Sequence, residues 1–148
     1  MNARLPDKEK IKAKLDVIQS QRCLLEDFVG MPLEDFTSGV PGSALKYDAC
    51  LHRLQIALQA VLDVAQYVAS CTSETVYREN KDVFDILRRE GAVSKETAEM
   101  FKSAIGVRNI LVHQYEQVEP EVIFKIIKED LSDFDKFVAE VSDYLDKL

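Results

Sequence analysis

Apolar residues recur at steps of three and four along most of the chain, the spacing that places them on one face of an α-helix. This pattern predicts a first helix from Lys8 to about Phe28 and a longer one from Ser43 to about Cys71. The residues that recur at this spacing are Ile11, Leu15, Ile18, Arg22 and Leu25 in the first helix, where the apolar ones mark the buried face, and Leu51, Leu54, Leu58, Leu62, Ala65 and Val68 in the second. Further apolar residues widen the second stripe. We therefore expect this helix to be covered on more than one side, by the other helices alone or together with a second subunit.

Glycines and prolines interrupt the pattern between these two helices. We expect a loop at Val29 to Gly42, with one short turn at Leu33 to Phe36. After a polar stretch at Thr72 to Thr75, the pattern predicts a short helix that begins at Val76 or Asn80 and ends at Glu90. Gly91 can stop that helix, because glycine readily adopts the left-handed conformation of a helix end.

Two more helices complete the prediction. Ser94 can cap a helix from Lys95 to about His113, and Pro120 suits the first turn of a last helix that ends near Lys147. Their inward positions are Ala98, Phe101, Ile105 and Val112, then Ile123, Ile127, Phe134, Phe137, Val141 and Leu145. No segment alternates as a strand would. The sequence therefore predicts an all-α protein, one domain over residues 1–148, built as an up-and-down four-helix bundle with one additional short helix.

The charge and the chain's beginning narrow the classes of function. With 19 basic against 26 acidic residues the net charge is -7, which argues against a protein that coats nucleic acid through a broad basic surface. A nucleic-acid site would have to be local, for example where two subunits bring their arginines into one cleft. The N-terminus lacks the apolar core of a signal peptide, and no run approaches the roughly 18 apolar residues of a membrane span. We therefore expect a cytoplasmic protein that does not contact a membrane.

The cysteines and one acidic group are interpreted as structural. Cys23, Cys50 and Cys71 are far apart and each falls in an apolar segment, so we expect reduced, buried thiols. The group formed by Asp130, Asp133 and Asp135 contains no histidine, and we predict a solvated face and no metal site there.

His52, beside Arg53 in the long helix, is one of the chain's two histidines. We expect it at a helix-helix contact or in water. A less favoured interpretation places His52 or Arg53 at the edge of a functional cleft.

The chemically distinctive stretch is Arg108-Asn109-Ile110-Leu111-Val112-His113-Gln114-Tyr115, at the end of an otherwise apolar helix. Asn109 and His113, four residues apart, share a helix face, whereas Arg108 and His113, five apart, diverge on an ideal helix. Arg108 and His113 can still meet in one site if the helix tightens or ends near Val112. A two-fold axis that brings in the partner's copy is the other route.

These side chains suit cleavage of an RNA phosphodiester without a metal. His113 titrates near neutrality and can assist attack of a ribose 2′-hydroxyl on phosphorus. Arg108 offers a permanent fork of donors that stabilises the negative transition state, and Tyr115 adds a hydroxyl or a ring for base stacking. In the structural alternative, Arg108 pairs with Glu116 or another carboxylate, His113 caps the helix end and Tyr115 packs with its tip in water. Composition and spacing alone favour that alternative.

The spacing Arg108-x4-His113-x-Tyr115 resembles the Arg-x4-6-His motif of the HEPN superfamily, in the form found in HepT-like toxins. Residues 106–115 as a whole, the long helix from Tyr47 to Cys71 and the segment Asp133 to Phe137 are similar to that family too. The resemblance implies a helical homodimer whose two motifs line one cleft. It also implies a metal-independent ribonuclease that needs no cofactor and acts as the toxin of a toxin-antitoxin pair.

The resemblance further implies a partner, a minimal nucleotidyltransferase (MNT) that silences such toxins by transferring AMP to the motif tyrosine. Carried over by position, Arg108 and His113 would be catalytic, Tyr115 would be the modification site and Asn109 a supporting contact. A nucleotide on Tyr115, two residues from His113, would exclude a substrate phosphate by its bulk and negative charge. Two other functions fit the residues: a non-catalytic helical subunit that positions a nucleotidyltransferase, and a regulator that binds a nucleotide through Arg108.

Overall fold

The computed structural model describes residues 4–37, 41–72, 77–113 and 119–148, apart from the side chains at 41, 43 and 113. Over these ranges the chain forms helices, turns and loops, with no strand. The helices are α1 (Lys8–Glu26), α2 (Leu33–Thr37), α3 (Pro41–Ser70), α4 (Val83–Glu90), α5 (Lys95–His113), α6 (Pro120–Lys125) and α7 (Ser132–Asp146). A 3₁₀ turn at Asn80–Asp82 leads into α4, and a π-helical turn at Ile126–Asp130 separates α6 from α7. The predicted all-α class is confirmed.

The central helix of the fold is α3, which α1, α2, α4 and α5 all contact. All six of its predicted inward positions are buried: Leu51, Leu54, Leu58, Leu62, Ala65 and Val68. Because neighbours from the same chain cover it on several sides, the wide apolar stripe needs no second subunit to explain it. The helices α1, α3, α5 and α7 contact one another in that order and α7 closes the ring on α1, as expected for the predicted bundle.

A cluster of phenylalanines packs α5 against α4 and α7. The ring of Phe101 in α5 lies 6.0 Å from Phe84 in α4, 5.7 Å from Phe134 and 5.3 Å from Phe137 in α7, measured between centroids. These four side chains are buried, and aromatic pairs at such distances add to the free energy of burial. The cluster holds the middle of the helix whose last turns carry the distinctive stretch.

The start of α5 is fixed by its cap and by α7. The backbone N–H of Thr97 donates to Ser94 Oγ at 3.2 Å, which confirms the predicted cap. Glu140 of α7 accepts hydrogen bonds from the Ser94 backbone N–H and the Thr97 hydroxyl. The preceding helix, α4, ends as predicted at Gly91, whose φ of 80° is left-handed.

Two element boundaries differ from the prediction. The long helix begins at Pro41, inside the predicted loop, because proline is well suited to a first helical turn, where its missing N–H would have no partner. The last helix is divided by the π-helical turn at Ile126–Asp130. Ile123, Ile127 and Leu131 are all buried at four-residue steps, and each such step turns an ideal α-helix about 40° past a full turn. The wider π turn keeps these residues on the core side.

Two burial predictions were wrong. Val112 is 39% exposed, and Leu111 is the buried residue of that turn, because Arg108 occupies the place where the inward stripe of Ala98, Phe101 and Ile105 would continue. Cys23 is exposed, since its position on α1 lies off the stripe that contains Leu15, Ile18 and Leu25. Cys50 and Cys71 are buried as expected, and burial raises the pKa of the Cys50 thiol to about 12.

Candidate active site

The distinctive stretch begins on the last turns of α5, which remains α-helical through His113. These bounds end one residue after Val112, so both routes for joining Arg108 and His113 stay open. Five residues correspond to about 140° around an α-helix beyond one full turn, so the positions 108 and 113 lie on different sides of α5. The side chain of His113 and the whole of Gln114, Tyr115 and Glu116 lie outside the described residues.

Arg108 is held on one edge by a neutral side chain of the central helix. Its Nε and Nη2 groups both donate to Oε1 of Gln59 in α3, the former at 2.9 Å. Its Nη1 group donates to Oδ1 of Asn109 at 2.9 Å. The two predicted residues are thus together, and a third residue that the sequence did not reveal holds the arginine between them.

The hydrogen bonds of Arg108 leave part of its guanidinium available. Of the five N–H donors of an arginine, three are used in these contacts, which leaves one on each terminal nitrogen without a partner among the described residues. A guanidinium N–H that the protein leaves without a partner can donate to a phosphate oxygen. Arg108 is only half-buried, so an anion can reach it.

The contacts of Gln59 continue to a second helix pair. Its Nε2 donates to Oδ1 of Asp63 at 2.8 Å, and Oδ2 of Asp63 accepts from Nζ of Lys14 in α1 at 3.2 Å. The carboxylate is therefore separated from Arg108 by an amide and is itself paired with a lysine. The five residues Lys14, Asp63, Gln59, Arg108 and Asn109 form a polar relay across α1, α3 and α5.

The structural alternative for Arg108 is partly contradicted by this arrangement. No carboxylate in the described ranges lies within salt-bridge distance of Arg108, so its charge is not neutralised by any of them. Glu116, the partner considered from the sequence, is outside those ranges.

Sequence reasoning missed Gln59 because α3 offers only a weak local signal. A glutamine followed four residues later by an aspartate is a known helix-stabilising pair, and Gln59 and Asp63 do pair in that way. Their connection to Arg108, however, spans 49 residues of sequence. Only the packing of α3 on α5 produces it.

An open, mostly apolar cleft of about 170 Å³ lies beside this end of α5, between α3, α5 and the α6–α7 region. Its lining includes Met100, Ala104, Val107, Val122, Ile126 and Phe134. Val107 precedes Arg108, and the nearby Ile110 and Val112 are each 39% exposed. The cleft therefore reaches the residue before Arg108, and further exposed apolar side chains lie within the distinctive stretch itself.

Asp130 and Asp133 also line the cleft, so the predicted solvated acidic face was wrong for these two residues. Both are half-buried because the π-helical turn places them against apolar side chains. Burial, with the neighbouring Asp130 charge, raises the pKa of Asp133, although Lys136 acts in the opposite direction. Asp135 is exposed as expected and pairs with Arg22 of α1, at 3.2 Å.

His52 is exposed, in agreement with one of its two structural interpretations, and Arg53 is half-buried. Of the side chains that the structure describes, no three His, Cys, Asp or Glu residues are grouped so that they could hold a metal ion. No helix in the described ranges is long and apolar enough to cross a membrane.

Known proteins resemble the chain over most of its length. The family model described as ribonuclease HepT-like matches residues 18–141. The chain is 24% identical over 135 residues to the tRNA nuclease HepT of Aphanizomenon flos-aquae, covering 91% of this chain and 89% of the relative. It is 23% identical over 91 residues to the mRNA nuclease HepT of Shewanella oneidensis, covering 62% and 68%.

A solved structure with the same fold is the tri-AMPylated HEPN toxin of Shewanella oneidensis in complex with MNT antitoxin. It superposes with a TM-score of 0.75 at 19% identity, over 90% of this chain and 96% of that one. The resemblance inferred from the motif and the long helix is confirmed by the family match, and the bundle fold by this structure.

Proposed function

The chain belongs to the ribonuclease HepT-like family, and from this premise we propose that Arg108 and His113 cleave cellular RNA, tRNA or mRNA, without a metal ion. The main support for this proposal is the set of hydrogen bonds that Arg108 makes, which leave its positive charge without a carboxylate partner in the described ranges. Arg108 is oriented by two amides and, among the described residues, has one N–H on each terminal nitrogen without a partner. A guanidinium kept in this way is suited to stabilise negative charge on a phosphate.

In the proposed reaction, His113 accepts the proton of a ribose 2′-hydroxyl while the 2′-oxygen bonds to phosphorus. The bond from phosphorus to the 5′-oxygen breaks, and that oxygen takes up a proton as it leaves. The products are a 2′,3′-cyclic phosphate and a 5′-hydroxyl. Arg108 stabilises the additional negative charge on the phosphate oxygens in the transition state, and Asn109 supports the substrate through its amide N–H groups.

The proposed active unit is a homodimer in which both motifs line one cleft. Because α5 is α-helical through His113, positions 108 and 113 diverge within one chain, and a partner's motif offers a second way to complete the site. The apolar cleft, which Val107 lines, and the exposed Ile110 three residues later support a subunit contact there. Two arginines in one cleft would also give the local positive charge that the acidic chain as a whole lacks.

We also propose regulation by an MNT antitoxin, which makes this chain the toxin of a toxin-antitoxin pair. The AMPylated state of the Shewanella toxin in its antitoxin complex supports this partner. The modified residue would be Tyr115, close enough in sequence to His113 for an added AMP to exclude RNA. Co-expression with a cognate minimal nucleotidyltransferase should increase the mass of the chain by AMP units. Substitution of Tyr115→Phe should abolish this increase, and an unchanged mass in the wild type would count against this mode of control.

The test of the catalytic proposal is cleavage of tRNA and mRNA by purified protein in excess EDTA. The wild type should cleave, and both Arg108→Ala and His113→Ala should lose activity by about 100-fold or more, the effect of losing a transition-state donor or a catalytic base. Arg88→Ala, which removes an exposed arginine of α4, is the matched control and should leave the rate unchanged.

Two outcomes would refute this mechanism. Full activity of His113→Ala would exclude the histidine as the base. Absence of cleavage by the wild type, together with a tight complex with the nucleotidyltransferase, would indicate a non-catalytic binding subunit instead.

A further inference from the structure

Gln59 in α3 is the residue of the polar relay that touches the Arg108 guanidinium from another helix. We propose that Gln59 is a positioning residue, which orients Arg108 toward the substrate phosphate while leaving its positive charge intact. This inference rests on the proposed ribonuclease function, since it assigns the group that prepares Arg108 for that reaction.

The geometry explains why the residue is a glutamine. Its amide must accept from the guanidinium and donate to Asp63 at the same time, and its two contacts use Oε1 and Nε2 in these roles. Both neighbours are charged groups of fixed hydrogen-bonding character, an obligate donor and an acceptor, so the amide has a single satisfactory orientation. Asp63 in turn is held by Lys14. Contacts with residues of α1 and α3 therefore determine the orientation of Arg108.

The edge that Gln59 contacts determines which part of Arg108 remains free. The acceptor lies against Nε and Nη2, the side edge of the guanidinium. Among the described residues, one N–H on Nη1 and one on Nη2 have no partner. Substrate can therefore bind through the terminal nitrogens while the side edge is restrained, which reduces the rotational freedom that Arg108 would lose in the transition state.

The neutrality of Gln59 matters for affinity. A carboxylate at the same place would hold Arg108 equally well but would neutralise its charge and repel RNA phosphates. In the relay, the negatively charged Asp63 contacts Gln59 and not Arg108, and it pairs with Lys14 at 3.2 Å. The Gln59 amide therefore orients Arg108 without placing a negative charge next to it.

Two substitutions separate these two contributions in the EDTA cleavage assay. Gln59→Met, similar in length but without hydrogen bonds, should lower kcat about 10- to 100-fold and change KM less than about threefold, because orientation is lost but charge is kept. Gln59→Glu keeps an acceptor for Arg108 but adds a negative charge. It should raise KM about tenfold or more in low salt, with a smaller effect in high salt.

Gln55→Met is the matched control. Gln55 lies one turn earlier on α3 and has no hydrogen bond among the described residues, so its loss should leave kcat and KM unchanged. If Gln59→Met retains kcat within twofold of the wild type while Arg108→Ala is inactive, the positioning role is refuted. A uniform loss in both Gln59 and Gln55 variants with lowered thermal stability would also refute it, because a general structural effect would then explain the data.

A spectroscopic measurement separates failure of this inference from failure of the proposed function. The Nε–H signal of Arg108 in a proton-nitrogen correlation spectrum, assigned by its absence in Arg108→Ala, should shift in Gln59→Met and remain in place in Gln55→Met. If the wild type does not cleave RNA but this shift occurs, the ribonuclease proposal fails and the restraint by Gln59 stands. An unmoved signal in Gln59→Met would overturn the restraint whatever the activity.

Discussion

Arg108 shows how far single residues can be interpreted from sequence. Its pairing with Asn109 in the same segment was within reach, because neighbouring residues of one motif suggest one site. Its orientation by Gln59 was not, since that contact joins residues 49 positions apart and depends on how α3 packs on α5. The sequence therefore predicted which chemistry is available, whereas the restraint on that chemistry is a property of the packed fold.

Asp133 is a second single residue whose environment differs from the prediction. The sequence placed it on a solvated face, whereas the structure has it half-buried. Its pKa is raised by burial and by Asp130. A raised carboxyl pKa means that the folded state favours the protonated form. The protonated Asp133 carboxyl therefore stabilises the fold fully below its ordinary pKa of 3.8. This stabilisation is lost as the pH rises through the raised pKa of the folded state. At neutral pH the charged form of Asp133 destabilises the fold.

We predict that Asp133→Asn increases the free energy of unfolding at pH 7 by about 0.5 kcal/mol, a small value because solvent screens a partly exposed group. The gain should shrink as the pH falls and be absent well below 3.8, where Asp133 itself is protonated. Urea unfolding at several pH values measures the difference. Asp16→Asn, at an exposed position in the middle of α1, should show no comparable gain at pH 7. A loss of stability in Asp133→Asn at pH 7 would contradict this explanation.

At the scale of elements, the periodic pattern predicted the number and the core faces of the main helices well, because burial of an apolar stripe is what stabilises each one. It predicted their irregularities poorly. The π-helical turn at Ile126–Asp130 arises from the match between α6, α7 and the core, and a periodic reading of the last segment as one helix could not distinguish it. The displaced burial at Leu111 has a similar origin, since a polar residue interrupts the stripe at Arg108.

Gly91 is an element boundary where sequence and structure agree, and it provides a test. Its φ of 80° costs a residue with a side chain about 1 kcal/mol, although no atom within 4 Å would obstruct a Cβ. We predict that Gly91→Ala lowers the free energy of unfolding by about that amount. Gly30→Ala, at an open position without a positive φ, should be neutral or slightly stabilising. Equal effects of the two substitutions in thermal unfolding would refute the conformational explanation.

At the scale of the whole molecule, the bundle is complete within one chain, and the proposed second subunit serves the site and not the core. The wide stripe of α3 is covered by helices of its own chain. Part of the apolar surface that remains open is the cleft that Val107 and Val122 help to line, next to Arg108. A dimer formed there would bring two acidic chains together at the place where each carries its oriented arginine.

We predict that Val122→Asp weakens this dimer without unfolding the chain, because Val122 is 40% exposed and the charge would be buried only in the assembly. Light scattering over a range of concentrations should show a shift toward monomer, and RNA cleavage should fall with the dimer fraction. Leu24→Asp alters an apolar residue of α1 that is 41% exposed. This control should leave the assembly unchanged. Identical assembly of the Val122→Asp variant and the wild type would contradict the proposed contact.

The central claim is that the chain cleaves RNA through the ribose 2′-hydroxyl, with Arg108 and His113 acting on the same phosphate. The most direct measurement compares two synthetic RNAs that differ only by a 2′-deoxy nucleotide on the 5′ side of the cleaved phosphate, in EDTA, with mass analysis of the product ends. We predict that the deoxy substrate is not cut and that the ribose substrate yields a 2′,3′-cyclic phosphate and a 5′-hydroxyl. Undiminished cleavage of the deoxy substrate, or products that carry a 5′-phosphate, would contradict it.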